Sequence, residues 1–346
     1  MTYRIIQLHL PLSNKPAFAD LLKDPLILDA WLLEECNKRL IYSLLVHTHE
    51  VQPVSDKLQT FLGIGDKDHM IGVEDDDELR IIIKPVETVF PKPKPKETGI
   101  SGGKKLFAGV ISREELYDDL SKGAQVDRTF ILLVIFSTIV ASIGLLEDNV
   151  AVIIGAMVIA PLLSPNLALA LGTALGDKKL MLDALKTNAV GFAIVFAFAT
   201  VLGMIWPAGH LLETNELLTR THVGLDGVLL AIVSGGAGVL SLTTGVSSVL
   251  VGVMVAVALL PPATTFGLML GSGHLVEAMG AGLLLAVNIV CVNLAAKLVF
   301  WMQGVAPRQW YEKQKAQKAM KWYLLVWGIA LVLLIALMQL HKYIQP

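Results

Sequence analysis

Residues 155–172, GAMVIAPLLSPNLALALG, carry two prolines and two polar side chains within a run apolar enough to cross a bilayer. Pro161 and Pro165 each remove a backbone donor and clash with the preceding turn, so nearby carbonyls and amides lose their helical partners. In hydrocarbon such groups persist only where protein or a water-filled cavity satisfies them. Ser164 is placed to N-cap a second half-helix, with Pro165 at its favoured first position. The amides of Asn166 and Leu167 would then hold the positive end of a helix dipole, a natural place for an anion.

The pattern recurs. In GVMVAVALLPPATTFGL (252–268), Pro261 and Pro262 interrupt the run, Pro262 takes the first helical position, and Thr264 and Thr265 follow. At constant offset, residues 129–174 fall on 226–271: Gly155 meets Gly252, Met157 Met254, Val158 Val255 and Pro165 Pro262. With a slightly longer offset Asn188 meets Asn288. Matched leucines weigh little in apolar sequence; the aligned Gly-x-Met-Val, proline and asparagine weigh more.

Asn188, Asn288 and Asn293 add polar side chains to otherwise apolar segments. Such groups cost free energy in lipid and face a bundle interior or water. Interhelical hydrogen bonding explains them as readily as a ligand does. Lys297 shares a helix face with Asn293. It lies about one turn from a helix end, where snorkelling to the interface is expected. The glycine runs SGGAG (234–238) and GLMLG (267–271) predict close helix packing. The candidate substrate-binding set is therefore Pro161, Ser164, Pro165, Asn166, Asn188, Pro261, Pro262, Thr264, Thr265, Asn288 and Asn293.

These segments sit in a 346-residue chain that is 54% hydrophobic and only 17% charged, against about a quarter charged in soluble proteins. Residues 129–302 are almost continuously apolar, in blocks of the length hydrocarbon requires. Spans are predicted near 129–147, 150–175, 187–206, 227–244, 247–271, 277–302 and 322–340. With the N-terminus inside, the basic loops 176–186 and 306–321 face the cytoplasm, as the positive-inside rule asks. A re-entrant hairpin at 150–175 would instead reverse every later loop and place Lys178 and Lys179 outside. Three spans per copy force opposite orientations. The expected fold is thus an α-helical polytopic membrane protein, a 3+3 inverted repeat plus one helix. That architecture recurs in secondary transporters, whose broken helices meet at the midplane.

Residues 1–90 read as a soluble, cytoplasmic α+β domain of ferredoxin-like order βαββαβ, with strands at 3–10, 26–35, 39–51 and 78–90 and helices at 16–24 and 53–64. His47 and His49 would share a strand face, but no third metal ligand is identifiable. EDDDE (74–78) lacks the glycine and terminal glutamate of a calcium loop. Residues 91–128 follow as a stiff Pro/Lys linker, whose Lys92, Lys94 and Lys96 would attract anionic lipid headgroups, and an interfacial amphipathic helix opened by a Ser112/Glu115 capping box. The repeats occupy 129–206 and 227–302, and 303–346 adds a basic loop and the extra helix, the candidate contact for a homo-oligomer.

Two cysteines cannot build a disulfide framework or a thiolate zinc site. No nucleophile elbow, Walker loop or intramembrane carboxylate pair is present, so the expected protein is not an enzyme and needs no cofactor, metal or nucleic acid.

ISREELYDDLSKGA (111–124), VIIGAMVIAPLLSPNLALALG (152–172) and GVMVAVALLPPATTFGL (252–268) together resemble a family of prokaryotic membrane proteins, the uncharacterised hydrophobic domain or domain of unknown function 389. IIIKPVETVFP (81–91) resembles the end of the N-terminal domain that many members carry. The resemblance implies an integral protein of the bacterial or archaeal cytoplasmic membrane and no particular substrate. The expected function is transport of a small solute or ion, an anion by preference, through a midplane site at the two breaks. The alternative is a non-transporting membrane sensor or assembly protein whose cytoplasmic domain binds a ligand or partner.

Overall fold

The computed structural model describes residues 3–11, 18, 21–36, 39–62, 80–86, 89–91, 113–206, 211–222, 224–244, 248–305 and 310–344. The chain forms two compact units, Met1–Arg113 and Glu114–Pro346.

The first unit holds an antiparallel sheet of β1 (Tyr3–Pro11), β2 (Ile27–Cys36), β3 (Arg39–His47) and β4 (Arg80–Val86) in the order β2-β3-β1-β4. The period-two pattern of YRIIQLHL puts Ile6, Leu8 and Leu10 on one face. There they meet Leu40, Tyr42, Leu44 and Val46 of β3, and Val51, Val54 and Leu58 of helix α1 (Val51–Leu62). β3 stops at His47, whose ring stacks on Tyr3 at 5.2 Å, and His49 falls in the 3₁₀ turn Thr48–Glu50. The two histidines therefore share no strand face, because the strand ends between them. The acidic run 74–78, Lys92, Lys94, Lys96 and Ser112 lie outside the described residues, as do residues 16, 17, 19 and 20 of the expected helix at 16–24.

From the boundary onward the described chain is helical: α2 (Arg113–Gly123), whose first residue closes the first unit, α3 (Arg128–Leu146), α4 (Val150–Ile159), α5 (Leu163–Leu175), α6 (Lys178–Ile205), the short α7 (Asn215–Leu218), α8 (Leu225–Thr243), α9 (Ser248–Gly271), α10 (Leu275–Met302) and α11 (Trp310–Ile344). Side-chain caps set several starts. Asp127 accepts from the Phe130 amide at 2.6 Å, Asn149 from Val152 at 3.3 Å, and Asp177 from Lys179 at 2.9 Å and Leu180 at 3.1 Å. Gly176, at φ 72°, ends α5, and the following amide of Asp177 returns to the Gly172 carbonyl at 2.9 Å.

Among the described residues, α3, α6, α10 and Trp322–Leu340 within α11 are long and apolar enough to cross a membrane. α4 and α5, bent by 52° at their junction, make a fifth if they form one span. Gly227–Thr243 and Ala258–Gly271 are shorter apolar helices. α6 packs along α9, while α10 packs against α5, α8, α9 and α11. The glycine runs do permit close packing. A Cβ on Gly271 would collide with the Thr200 carbonyl, and one on Gly235 would come within 2.8 Å of the Val292 backbone.

Candidate functional site

The two proline pairs behave differently. Ahead of Pro161, Ala160 adopts φ −66° and ψ 120°, the extended conformation that the following pyrrolidine ring imposes, and α4 ends there. The chain resumes helix only at Leu163. Leu162 occupies the N-cap position without a side-chain bond, which corrects the cap assigned to Ser164. Ser164 and Pro165 lie inside the first turn of α5. The Ser164 side chain abuts Gly123 at the end of α2 rather than capping the helix.

Pro261 and Pro262 do not break their helix. α9 runs continuously from Ser248 to Gly271 through both, a correction to the expected second break. At Pro262 the helix is supported by a side-chain repair. Pro262 has no amide hydrogen, so the Ala258 carbonyl lacks its i+4 donor; Asn288 Nδ2 of α10 donates to that carbonyl at 2.8 Å. Thr264 Oγ1 donates to the Leu260 carbonyl at 2.9 Å. No new N-terminus forms at Pro262, so the dipole argument for an anion does not apply there. Thr265 is fully buried, and among the described residues its hydroxyl has no partner.

Three of the predicted residues converge. Asn166 of α5 donates from Nδ2 to Asn188 Oδ1 of α6 and to the Leu162 carbonyl, both at 2.9 Å. Asn293 of α10 donates from Nδ2 to Asn166 Oδ1 at 3.1 Å and to the Ile289 carbonyl at 3.0 Å. The Leu162 and Ile289 carbonyls fix which way the amides of Asn166 and Asn293 point, since a carbonyl takes only a donor, and the donor from Asn166 then fixes the oxygen of Asn188. Exposure of the trio is 1% for Asn166, 7% for Asn188 and 0% for Asn293. The chain of amides joins three helices at the start of α5, directly after the break. Asn288, Thr264 and Thr265 are not bonded to it.

Lys297 departs most from expectation. It does not snorkel: it is 1% exposed, and its ammonium lies 4.2 Å from the centroid of the Trp327 ring and 5.8 Å from that of Tyr323. α11 packs beside α10, and its Tyr323 and Trp327 rings lie against the side chain. A signal for this was present in the sequence, because Tyr323 and Trp327 are i,i+4 neighbours on one helix face. Among the described residues no carboxylate forms an ion pair with Lys297, and no group of three or more His, Cys, Asp or Glu is placed to hold a metal.

Around the break, Thr187 Oγ1 donates to the Ala124 carbonyl at 2.6 Å, and Tyr117 of α2 donates to Asp177 Oδ2 at 2.7 Å. That hydrogen bond to a carboxylate, with partial burial, pushes the phenol up to about 12.

A chain with this break and these buried amides belongs to the family described as Domain of unknown function (DUF389), whose model matches residues 157–294. It is 35% identical to an uncharacterized protein of Methanocaldococcus jannaschii, over 67% of this chain and 72% of that one. No solved structure matches it.

Proposed function

We propose that this chain is a transport protein of the cytoplasmic membrane, a secondary transporter or channel-like permease for a small solute or ion, centred on the α4–α5 break. The observation that carries the reading is the convergence of Asn166, Asn188 and Asn293 from three apolar helices on the end of a broken one. Polar groups buried among apolar helices are costly, and in membranes they mark ligand or ion pathways. Lys297, four residues after Asn293, supplies the positive charge that favours an anion.

The membrane arrangement belongs to the same reading. Seven spans with a cytoplasmic N-terminus would place the basic loops inside, and the exchange of partners between α6 with α9 and α10 with α5 is what two inverted three-helix halves would give. The strand order β2-β3-β1-β4 supports a ferredoxin-like N-terminal domain, which would regulate the pathway or mediate assembly.

Flux in proteoliposomes tests this. The full chain should carry at least one small anion across the bilayer, and Asn166→Leu should reduce that flux about tenfold or more while the protein remains folded in detergent. Absence of flux for a panel of anions, cations and neutral solutes would end the reading. Ligand binding confined to residues 1–90 would then favour a sensor.

A further inference from the structure

The buried amide of Asn293 and the buried ammonium of Lys297 leave a specific chemical deficit. Both hydrogens of Asn293 Nδ2 are committed, one to Asn166 Oδ1 and one to the Ile289 carbonyl. Among the described residues its Oδ1 is fully buried with no donor, and the Ile289 carbonyl prevents the amide from turning over to hide it. Lys297 stands on the same helix face, about 6 Å further along the axis. Its ammonium has one face on Trp327 and, among the described residues, no carboxylate. The attraction of an aromatic ring offsets only part of the cost of burying a charge. Among the described residues, one short stretch of α10 therefore offers a positive charge without a counter-ion and an acceptor without a donor.

Resting on the transport reading, we propose that Lys297 and Asn293 form the substrate subsite, and that it takes a small oxyanion carrying its own hydroxyl, of the bicarbonate or dihydrogen phosphate class. The negative oxygen pairs with the ammonium of Lys297, and the hydroxyl donates to Asn293 Oδ1. A lone water would satisfy the amide oxygen but leave the charge unbalanced. A halide or nitrate would balance the charge but present acceptors to an acceptor. The committed hydrogens of Asn293 also mean that this amide cannot serve an anion as a donor, so selection falls on the proton the ligand brings. The aromatic pair holds the ammonium in place while the subsite is empty, through a contact weak enough for an oxyanion to replace.

The test is direct binding to the full chain in lipid nanodiscs by titration calorimetry, with bicarbonate, phosphate, chloride and nitrate as probes. Bicarbonate or phosphate should bind about tenfold or more tighter than chloride and nitrate. Lys297→Met should weaken that binding by about tenfold or more, and Lys297→Arg should restore most of it. If the methionine variant does not fold, Lys297→Gln takes its place. Asn293→Leu should erase the preference for hydroxyl-bearing anions over nitrate. Equal binding of nitrate, chloride and bicarbonate by the native chain overturns the proposal, as does native affinity in the Lys297→Met or Lys297→Gln chain, or no binding of any probe. Flux that survives loss of Lys297 sinks the subsite and leaves the transport reading standing. Specific oxyanion binding without flux does the reverse.

Discussion

Pro262 and Asn288 are an example of two residues whose roles exist only as a pair. The proline strips the donor from the Ala258 carbonyl, and the asparagine replaces it at 2.8 Å. Asn288→Leu should therefore destabilise the helical unit by about 1–3 kcal/mol, the cost of a buried carbonyl left bare. In a Pro262→Ala background the backbone amide returns, and the same substitution should cost roughly 1 kcal/mol or less. Thermal unfolding of the four chains in detergent measures this coupling, and additive costs would show that Asn288 does something other than repair the helix. Tyr117 gives a pH-dependent counterpart. Its phenol titrates near 10 when free and about 12 when bonded to Asp177. A raised acid pKa means that the folded state holds the proton more tightly, so the stabilisation is complete below pH 10 and lost as pH rises through about 12. Tyr117→Phe should cost about 1 kcal/mol at pH 8. The native advantage should vanish in strong alkali, as followed by circular dichroism. At this scale the sequence was informative about kind and poor about partners. Asn166, Asn188, Asn288 and Asn293 stand out as polar residues in apolar runs, but one mends a helix and three join one another. Only the packing of α10 on α5 and α9 separates the two jobs.

At the level of elements, the α4–α5 junction and α9 began as matched sequences and end as different structures. Pro161 forces Ala160 out of the helical region and the chain bends by 52°, while α9 carries two prolines without interruption. Helix propensity alone predicts a disruption at both. The tertiary donor from α10 to the Ala258 carbonyl supports α9 where Pro262 would otherwise leave that carbonyl bare. The broken element is also held from outside. Gly123, the last residue of α2, abuts Ser164 so closely that any side chain there would collide with it. Gly123→Ala should lower stability by about 1–3 kcal/mol through overpacking, and Ser164→Gly in the same chain should recover most of the loss. A Gly123→Ala chain as stable as the native one would mean that α2 is free to move off the break. Expectation assigned Ser164 to capping because serine commonly caps helices; the approach of α2, distant in sequence, gives it a packing role instead.

For the molecule as a whole, the division into a small sheet unit and a helical unit was legible from where charge and apolar residues lie. Alternation in YRIIQLHL and RLIYSLLVH marks strands whatever surrounds them, because one face must be buried. Runs of about twenty apolar residues bounded by Asp127, Asn149 or Asp177 mark helices for the same local reason, a cap followed by residues that cannot remain in water. The prolines, too, announce their own missing donors. What local chemistry does not contain is the identity of the group that answers each deficit. Asn288 reaching Ala258, Asn293 reaching Asn166, and Trp327 lying over Lys297 are contacts between segments 30 to 127 residues apart or between neighbouring helices whose rotation sets the meeting face. By itself the sequence determined which residues would need partners; the tertiary structure decided which partners they found, because that choice depends on helix packing across the whole unit and on the high cost of leaving any buried polar group alone.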